Sequence, residues 1–251
     1  MRNHGPGVIW RRYEMKYLIS ESKAAAIAQF IRPYVRPDAY CELQPEGAYP
    51  IVTLYLDSKD FHLCRESLEG KQNRFKLRIR GYSDNPEQPC FLEIKRRLND
   101  VIIKSRVRVM SSEVAALISR TPPEEQGNNT DGGAFKQFMF YTTVMNAGPV
   151  QRVRYKRQAF ESTVDKKVRI TFDRNLCYKV TSTPSVELNG GGWQSILQNY
   201  VVLEIKFTER YPAWLGRISK YFDLQRQSMS KYVYSVKHSC LMGSSVVQLQ
   251  V

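Results

Sequence analysis

The sequence has few of the residues that build a zinc centre or a nucleophilic active site. Only 3 of its 251 residues are histidines and 5 are cysteines, and none of them forms a Cys-x-x-Cys pair or a ligand spacing. This pattern argues against a disulfide framework and a zinc site, and it favours a reducing compartment, so we expect a cytoplasmic protein. No Ser/His/Asp or Cys/His arrangement is apparent. The cysteines are Cys41, Cys64, Cys90, Cys177 and Cys240.

Long apolar runs are also absent. The first ten residues contain no apolar segment of the kind found in a signal peptide. Nowhere does the chain approach the roughly 18 consecutive apolar residues that a membrane-spanning helix needs. We therefore expect no membrane span in this chain.

Acidic residues are scarce relative to basic ones. The chain has 24 Asp and Glu against 38 Lys and Arg, a formal net charge of +14. Such a balance favours an anionic partner, which could be nucleic acid, a membrane surface or a phosphorylated small molecule. Hydrophobic residues make up 42% of the sequence, which is enough for a folded globular domain with a substantial core.

What the sequence does contain is a row of cations on a predicted strand. Lys76, Arg78 and Arg80 alternate with Leu77 and Ile79. Since successive side chains of a strand point to opposite faces, this strand has one cationic and one apolar face.

Other predicted strands repeat the same polarity. A Glu-x-Lys pattern lies on three of the predicted strands and places a carboxylate and an ammonium on one strand face each time. Further cations have the same alternation on the predicted strands. The Glu-x-Lys pairs are Glu14 and Lys16, Glu93 and Lys95, and Glu204 and Lys206, and the further cations are Lys104, Arg106, Arg154 and Arg169.

These strands predict an α+β fold: a closed antiparallel β-barrel of about eight strands, with the charges in its lumen and the helices packed outside. Unpaired ions in a lumen cost several kcal/mol each, so the excess of bases predicts a bound polyanion. An open sheet with a solvated charged face is the alternative. A nucleic-acid platform is disfavoured because the charged faces lack exposed aromatic residues interleaved for base stacking, and because the three glutamates would repel phosphates unless a cation bridges them.

The predicted elements alternate along the whole chain. We expect an N-terminal extension at residues 1–10, one domain at 11–240 with a mobile loop at 121–133, and a C-terminal tail at 241–251. Strands are predicted at residues 10–19, 51–57, 72–82, 91–97, 101–109, 150–160, 167–173 and 201–207. Helices are predicted at 21–31, from 58 to 70, after 111, and at 134–145, 212–222 and 230–240, with a short hairpin in 176–192.

The charged faces suit phosphate chemistry. Carboxylates are the hard oxygen ligands that Mg²⁺ or Mn²⁺ prefers, and such an ion can bridge them to phosphate oxygens. Arginine and lysine bind the same phosphate oxygens. Because phosphoryl transfer depends mainly on positioning and charge stabilisation, a basic tunnel with one metal ion suffices.

The ordered motifs resemble the triphosphate tunnel metalloenzymes, and within them the VTC domain of the vacuolar transporter chaperone polyphosphate polymerases. The resemblance extends from about residue 11 to 240. The matching segments are Glu14-Met15-Lys16-Tyr17, Leu54-Tyr55-Leu56-Asp57, Lys76-Leu77-Arg78-Ile79-Arg80, Phe91-Leu92-Glu93-Ile94-Lys95-Arg96, Arg154-Tyr155-Lys156-Arg157-Gln158-Ala159-Phe160, Arg169-Ile170-Thr171-Phe172-Asp173, Leu203-Glu204-Ile205-Lys206 and Ser230-Lys231-Tyr232.

This resemblance implies transfer of the terminal phosphate of ATP or another nucleoside triphosphate to inorganic polyphosphate, with Mn²⁺ or Mg²⁺. It implies Glu204 as the main metal ligand, with Glu14 and Glu93 as weaker ones that could instead orient lysines. A membrane partner chain would export the product, and nucleic acid is not an expected partner. The implied catalytic residues are Lys76, Arg78, Arg80, Lys95, Arg154, Arg169 and Lys206, and the substrate-binding residues are Lys16, Lys104, Arg106 and Lys231.

The first strand departs from the hydrolytic members of that superfamily. Those enzymes resemble one another in a Glu-x-Glu-x-Lys pattern on the first strand. Here Arg12 occupies the position of the first glutamate of that pattern. This favours the polymerase-like branch. The alternatives are a tripolyphosphatase or nucleoside triphosphatase on the same scaffold, and a non-catalytic module that binds polyphosphate or nucleic acid.

Overall fold

The computed structural model of the chain describes residues 12–99, 101–119, 132–164, 168–208 and 211–242. The predicted extension at 1–10 and the tail from residue 243 lie outside these ranges. So does the predicted loop at 121–133, except for its last two residues, which begin a helix.

Ten antiparallel strands form one sheet in the order β1-β10-β8-β7-β3-β4-β5-β6, with β2 paired to β7 and β9 paired to β8. Every predicted strand is present. The strands are β1 (Arg12–Ser20), β2 (Val35–Pro37), β3 (Tyr49–Asp57), β4 (Asn73–Gly81), β5 (Pro89–Leu98), β6 (Val101–Met110), β7 (Gly148–Ser162), β8 (Arg169–Val180), β9 (Gln194–Ser195) and β10 (Tyr200–Thr208).

The sheet is open, so the predicted closed barrel is wrong. β1 and β6 are its two ends, and no backbone pairing joins them in the described residues. The sheet curls far enough for side chains to meet across the gap, because Lys95 Nζ on β5 lies 3.2 Å from Glu14 Oε2 on β1. Barrel closure depends on strand tilt and stagger, which an alternating pattern does not encode.

The convex face of the curled sheet is apolar and covered by helices, as predicted. One cluster joins strand residues such as Ile170 and Leu203 to α1 (Glu21–Ile31) and α6 (Ala213–Tyr221). A second joins residues such as Leu77 and Leu92 to α4 (Val114–Ile118) and α5 (Gly132–Val144). The remaining helices are α2 (Ala39–Glu42), α3 (His62–Leu68) and α7 (Lys231–His238), with a 3-10 turn at Ser111–Glu113.

The helix α7 packs on the concave face, which corrects the prediction that all helices lie outside. Tyr55 is the cross-strand partner of Arg78, so both side chains are on the same face. The Tyr232 ring of α7 stacks on Tyr55 with centroids 4.5 Å apart, and Ser235 Oγ donates to Gln151 Oε1 at 3.0 Å. A third apolar cluster therefore occupies the concave side of β3 and β7.

Local signals placed most element ends correctly. Ser20 caps α1 as predicted, since its Oγ accepts from Lys23 N. The predicted hairpin between β5 and β6 is present, with Asn99 in the left-handed conformation that suits such a turn.

Two element boundaries differ from the prediction by the most residues. Because Asp57 accepts hydrogen bonds from the Leu63 and Cys64 amides, α3 begins at His62 rather than at residue 58. β8 continues past 173 through a register shift, with Asn175 at a φ of 54°, and so takes the first residues of the predicted 176–192 hairpin. None of the helices in the described ranges has the length and apolarity of a membrane span.

Candidate anion-binding site

A cavity of about 280 Å³ lies on the concave face between the two ends of the sheet. Its walls come from β1, β4, β5, β7 and β10 and from the segment that leads into α7. Nine of the fourteen predicted site residues line it, which brings together strands that are far apart in sequence. These nine are Glu14, Lys16, Lys76, Arg78, Arg80, Lys95, Glu204, Lys206 and Lys231.

Three lysines lie side by side across neighbouring strands of this face. Lys76 pairs in register with Lys95, and Lys95 pairs with Lys104. Burial, and then the charges of Lys16 and Lys95, lowers the pKa of Lys76 to about 7. Burial likewise lowers the pKa values of Lys95 and Lys104 to about 8 each. Directly opposed like charges are destabilising, so this lysine row favours a bound anion.

Glu93 is fully buried beside the row and is bound by cations rather than directed into the cavity. Its Oε2 lies 2.7 Å from Arg78 Nη2 and its Oε1 lies 2.6 Å from Lys104 Nζ. Arg106 Nε is 3.5 Å from the same carboxylate. Burial raises the pKa of Glu93, but Arg78, Arg80 and Lys104 outweigh burial and hold it at about 2. Glu93 therefore orients cations, and it does not line the cavity with Glu14 and Glu204.

Glu14 and Glu204 converge on one ammonium group. Lys16 Nζ lies 3.0 Å from Glu14 Oε1 and 3.8 Å from Glu204 Oε1. Glu204 also contacts Lys206 and Lys231, each at 2.9 Å. Although burial opposes ionisation, Lys206 and Lys231 keep the pKa of Glu204 well below its usual value, so the carboxylate stays charged at neutral pH.

A buried network around Glu204 includes two residues, Arg157 and Asp173, that the sequence reasoning did not assign to the site. Arg157 binds Asp173 through two hydrogen bonds of 2.6 and 2.7 Å. Lys231 Nζ lies 2.6 Å from Asp173 and 2.9 Å from Glu204, and Arg157 Nη2 lies 3.7 Å from Glu204. These four residues, two cations and two anions, form the balanced network. They tie α7 to β7, β8 and β10.

The structure places Arg154, predicted from the family motif, away from the cavity. Its guanidinium stacks on Trp193 at 4.4 Å and donates to the Leu188 carbonyl at 2.6 Å. Arg157, three residues further along β7, lines the cavity instead. Positions 154 and 157 face opposite sides of a strand, and both carry arginine, so alternation alone could not distinguish them.

The other predicted site residues also lie outside the cavity lining. Arg169, the first residue of β8, binds Asp38 and Glu161, with a distance of 2.7 Å to Glu161 Oε1. Lys104 and Arg106 contact Glu93 and are partly exposed.

The segment before α7 crosses the concave face and closes one side of the cavity. Gln227 N donates to the Lys16 carbonyl at 2.9 Å, which is a main-chain bond to the end strand β1. Lys16 Nζ donates to the Met229 carbonyl at 2.8 Å and Lys76 Nζ to Ser230 Oγ at 2.6 Å. Nothing in the sequence pattern of this connection indicated its position.

At one mouth the cavity is lined by three arginines. Arg74 pairs in register with Arg97, and Arg226 comes from the segment before α7. Burial, and then the charge of Arg97, lowers the pKa of Arg74. We call this set the arginine mouth; it extends the cation row of β4 by one position beyond Lys76.

The carboxylates fit a metal ion only if phosphate supplies further ligands. No group of three Asp, Glu, His or Cys side chains in the described residues is placed to hold a metal. Glu14 and Glu204, however, already share one cation, Lys16. Mg²⁺ commonly binds to one or two carboxylates together with phosphate oxygens and water, so this pair fits such an ion.

The family model of the VTC domain matches residues 11–240 of the chain. No curated protein matches this chain. Similar solved structures include a Bacillus halodurans protein, bh2851, provisionally described as an adenylate cyclase, with 12% identity, a TM-score of 0.48 and coverage of 88% of this chain and 95% of that one. Another is the PH1819 protein from Pyrococcus horikoshii OT3, with 13% identity, a TM-score of 0.43 and coverage of 90% and 99%.

Proposed function

This chain belongs to the VTC domain family, and from that premise we propose that it is a metal-dependent phosphotransferase. It binds a nucleoside triphosphate in the basic cavity and transfers the terminal phosphate to a growing inorganic polyphosphate chain. The bond from the terminal phosphorus to the bridging oxygen breaks, a new bond forms to a terminal oxygen of the acceptor chain, and a nucleoside diphosphate leaves.

The excess of cations over carboxylates in the cavity is the observation that carries this proposal. Glu14 and Glu204 are the carboxylates of the lining, against more than twice as many lysines and arginines. Lys76 donates its hydrogen bond to the hydroxyl of Ser230 rather than to a carboxylate. A row of phosphates supplies the missing negative charge at a regular spacing, which chloride or a single carboxylate does not.

Each part of the cavity has a role in this reaction. Arg78 and Arg80 bind the phosphates that stay with the nucleoside, and Glu93 holds Arg78 in place through its 2.7 Å contact. Lys76 and Lys95 offset the charge of the transferred group. Glu14 and Glu204 would hold Mg²⁺ or Mn²⁺, which when bound supplies additional positive charge to the phosphate oxygens. No protein nucleophile is needed because the acceptor oxygen is already ionised.

The arginine mouth favours a polymeric acceptor over water. Alternate strand residues are about 6–7 Å apart, so the stretch from Lys76 to Arg80 already spans a triphosphate. Arg74 and Arg97 continue the cationic wall beyond it. A hydrolase does not require that continuation, whereas a long polyanion does.

The proposal is tested by incubating the purified protein with ATP and Mn²⁺ and separating the products on a gel. We expect long-chain polyphosphate and ADP. Glu204→Gln should abolish product formation, whereas Glu69→Gln, which changes a glutamate paired with Lys71 on the surface, should leave it unchanged. Folded protein that forms neither polyphosphate nor free phosphate would contradict the proposal, and phosphate alone would identify a hydrolase.

One observation favours a second candidate, a non-catalytic polyphosphate-binding module. Glu204 is bound by Lys16, Lys206 and Lys231, and a carboxylate held by lysines has less capacity for a metal ion. In that case polyphosphate would bind equally well with and without Mn²⁺, and Glu204→Gln would bind it as tightly or more tightly. Under the phosphotransferase proposal Mn²⁺ strengthens nucleotide binding, and Glu204→Gln removes that effect.

A further inference from the structure

A row of aromatic side chains crosses the concave face at the end opposite the arginine mouth. The ring centroids of Tyr40 and Tyr49 are 5.9 Å apart, those of Tyr49 and Tyr82 are 6.2 Å apart, and those of Tyr82 and Phe91 are 6.1 Å apart. Arg106 ends the row, with Cζ 3.4 Å from the centroid of the Phe91 ring. We call these five residues the aromatic row. They come from α2, β3, the end of β4, β5 and β6.

The aromatic row is continuous with the phosphate-binding wall. Tyr82 follows Arg80 by two residues at the end of β4, which is a separation of about 7 Å along a strand. Arg106 lies 3.5 Å from Tyr82 Oη and also contacts Glu93, the carboxylate that binds Arg78. Arg80, which lines the cavity, has a buried Nε without a hydrogen-bond partner. The row and the cavity therefore meet at Arg80.

Part of this row is not required by the core. The Tyr40 side chain is 69% exposed, and neither Tyr40 nor Phe91 belongs to any of the three apolar clusters. Phe91 and Tyr82 are half-buried. Accessible aromatic rings stack on nucleobases, and a nearby arginine adds a cation–π contribution. An aromatic surface that leads directly into a row of cations matches the two chemical halves of a nucleotide.

We propose that the aromatic row is the nucleobase subsite of this protein. The base of a nucleoside triphosphate lies against Tyr82 and Tyr40 beside Arg106, and its phosphates extend along Arg80 and Arg78 toward Lys76. The nucleotide thus enters from the aromatic end, and the polyphosphate chain occupies the arginine mouth. Since every base has a stacking face, this subsite accepts all four nucleotides and favours purines for their larger rings. This inference rests on the proposed function of the cavity.

The subsite is tested by measuring the dissociation constants of ATP and inorganic tripolyphosphate, which differ by the nucleoside. In the wild-type protein we expect ATP to bind more tightly. Tyr82→Leu should weaken ATP binding roughly 5-fold or more, the effect of losing one base–aromatic stack, and should change tripolyphosphate binding less than 2-fold. Tyr221→Ala is the matched control, because this tyrosine is 77% exposed on α6, on the convex side. It should change neither constant.

A second variant and a spectroscopic measurement make the test independent of folding defects. Tyr40→Ala removes an exposed ring without opening the core and should also weaken ATP selectively. In saturation-transfer NMR, the adenine protons should receive saturation from the wild-type protein and from Tyr221→Ala, but less from Tyr82→Leu and Tyr40→Ala.

The possible results separate this inference from the proposed function. If ATP and tripolyphosphate bind equally well and the tyrosine variants weaken neither, the nucleobase subsite is wrong while the phosphate site stands. If neither ligand binds to folded wild-type protein, the proposed function is wrong and the subsite fails with it. A selective loss of ATP binding in both tyrosine variants supports both.

Discussion

The concave face of this protein carries two groups of charges with opposite balance, a buried one and a more accessible one. In the balanced network, Arg157 and Lys231 are matched by Asp173 and Glu204 at 2.6 to 3.7 Å. In the lysine row, Lys76, Lys95 and Lys104 lie in register beside one another. Glu14 contacts Lys95 and Glu93 contacts Lys104, whereas Lys76 donates to the Ser230 hydroxyl.

The difference separates a structural role from a binding role. Buried ions that neutralise one another hold elements together, and removing one partner leaves an uncompensated charge. Buried ions of one sign cost stability until a ligand of the opposite sign arrives. The balanced network thus anchors α7, whereas under the proposed function the lysine row is the part of the face that binds phosphate. The following predictions test this comparison.

The largest effect is expected when the balanced network is broken. Asp173→Asn leaves Arg157 and Lys231 with Glu204 as their remaining shared carboxylate, so the free energy of unfolding should fall by about 3–5 kcal/mol. Chemical denaturation measures this. Glu69→Gln, which breaks an exposed pair with Lys71, should cost no more than about 1 kcal/mol. Equal losses in the two variants would show that the network does not anchor the fold.

Removing a cation from the lysine row should have the opposite effect on stability. Lys76→Met replaces one of several neighbouring cations with an apolar chain of similar length, so the free energy of unfolding should stay the same or rise. Tripolyphosphate should bind roughly 10-fold or more weakly, because a hydrogen bond to a charged group contributes about 1.5–3 kcal/mol. Calorimetric titration and denaturation of the same sample check both. A variant that loses stability but keeps its affinity would reverse the roles assigned here.

The pH dependence of binding should follow Lys76. Burial and the neighbouring cations lower its pKa to about 7 in the folded, ligand-free protein, so the side chain loses its charge as the pH rises through 7. Tripolyphosphate affinity should therefore fall several-fold more between pH 6.5 and 9 in the wild type than in Lys76→Met. Tripolyphosphate also gains and loses protons over this pH range. This affects both proteins equally, so it cancels when their affinities are compared. If the affinities of the two proteins fell in parallel with rising pH, Lys76 would not be the group that causes the pH dependence.

The same pKa predicts how stability changes with pH. The pKa of Lys76 is lower in the folded chain than its ordinary value of 10.5, so the unfolded chain binds more protons between these two values. By linkage, the contribution of Lys76 to stability rises with pH across this window and is least favourable below pH 7. Thermal unfolding should show this rise in the wild type, and Lys76→Met should reduce it.

The smallest effect is expected at Arg154. Arg154→Ala removes the stack on Trp193 and the bond to Leu188, which should lower the free energy of unfolding by about 1 kcal/mol. Tripolyphosphate affinity should change less than 2-fold. If affinity instead fell as far as in Lys76→Met, the phosphate chain would have to reach the outer side of β7.

Much of the fold followed from local sequence signals. The alternating cations of β4 and the Glu-x-Lys strands were assigned to the correct face because side-chain direction in a strand depends only on parity. The cap at Ser20 and the turn at Asn99 were also predictable, since both depend on a few neighbouring residues. The excess of cations also followed, because 38 bases against 24 acids leave a net positive charge that no arrangement of the chain removes.

Other features depend on which strands become neighbours, and no local pattern encodes that. The sheet stays open because β1 and β6 do not come into register, and α7 turns inward because Tyr232 and Ser235 find partners on β3 and β7. The choice of Arg157 over Arg154 depends on where Asp173 lies in the next strand. The aromatic row is likewise assembled from residues between positions 40 and 106.

The sequence by itself determined the polarity of each strand and the net positive charge of the chain, because these depend on parity and composition. Only the tertiary structure decided which of the many cations are neutralised by carboxylates and which line the cavity without such a partner. That distinction depends on distances of about 3 to 4 Å between side chains from different strands. At such distances an opposite charge offsets the desolvation energy of a buried ion, and without one the ion destabilises the fold.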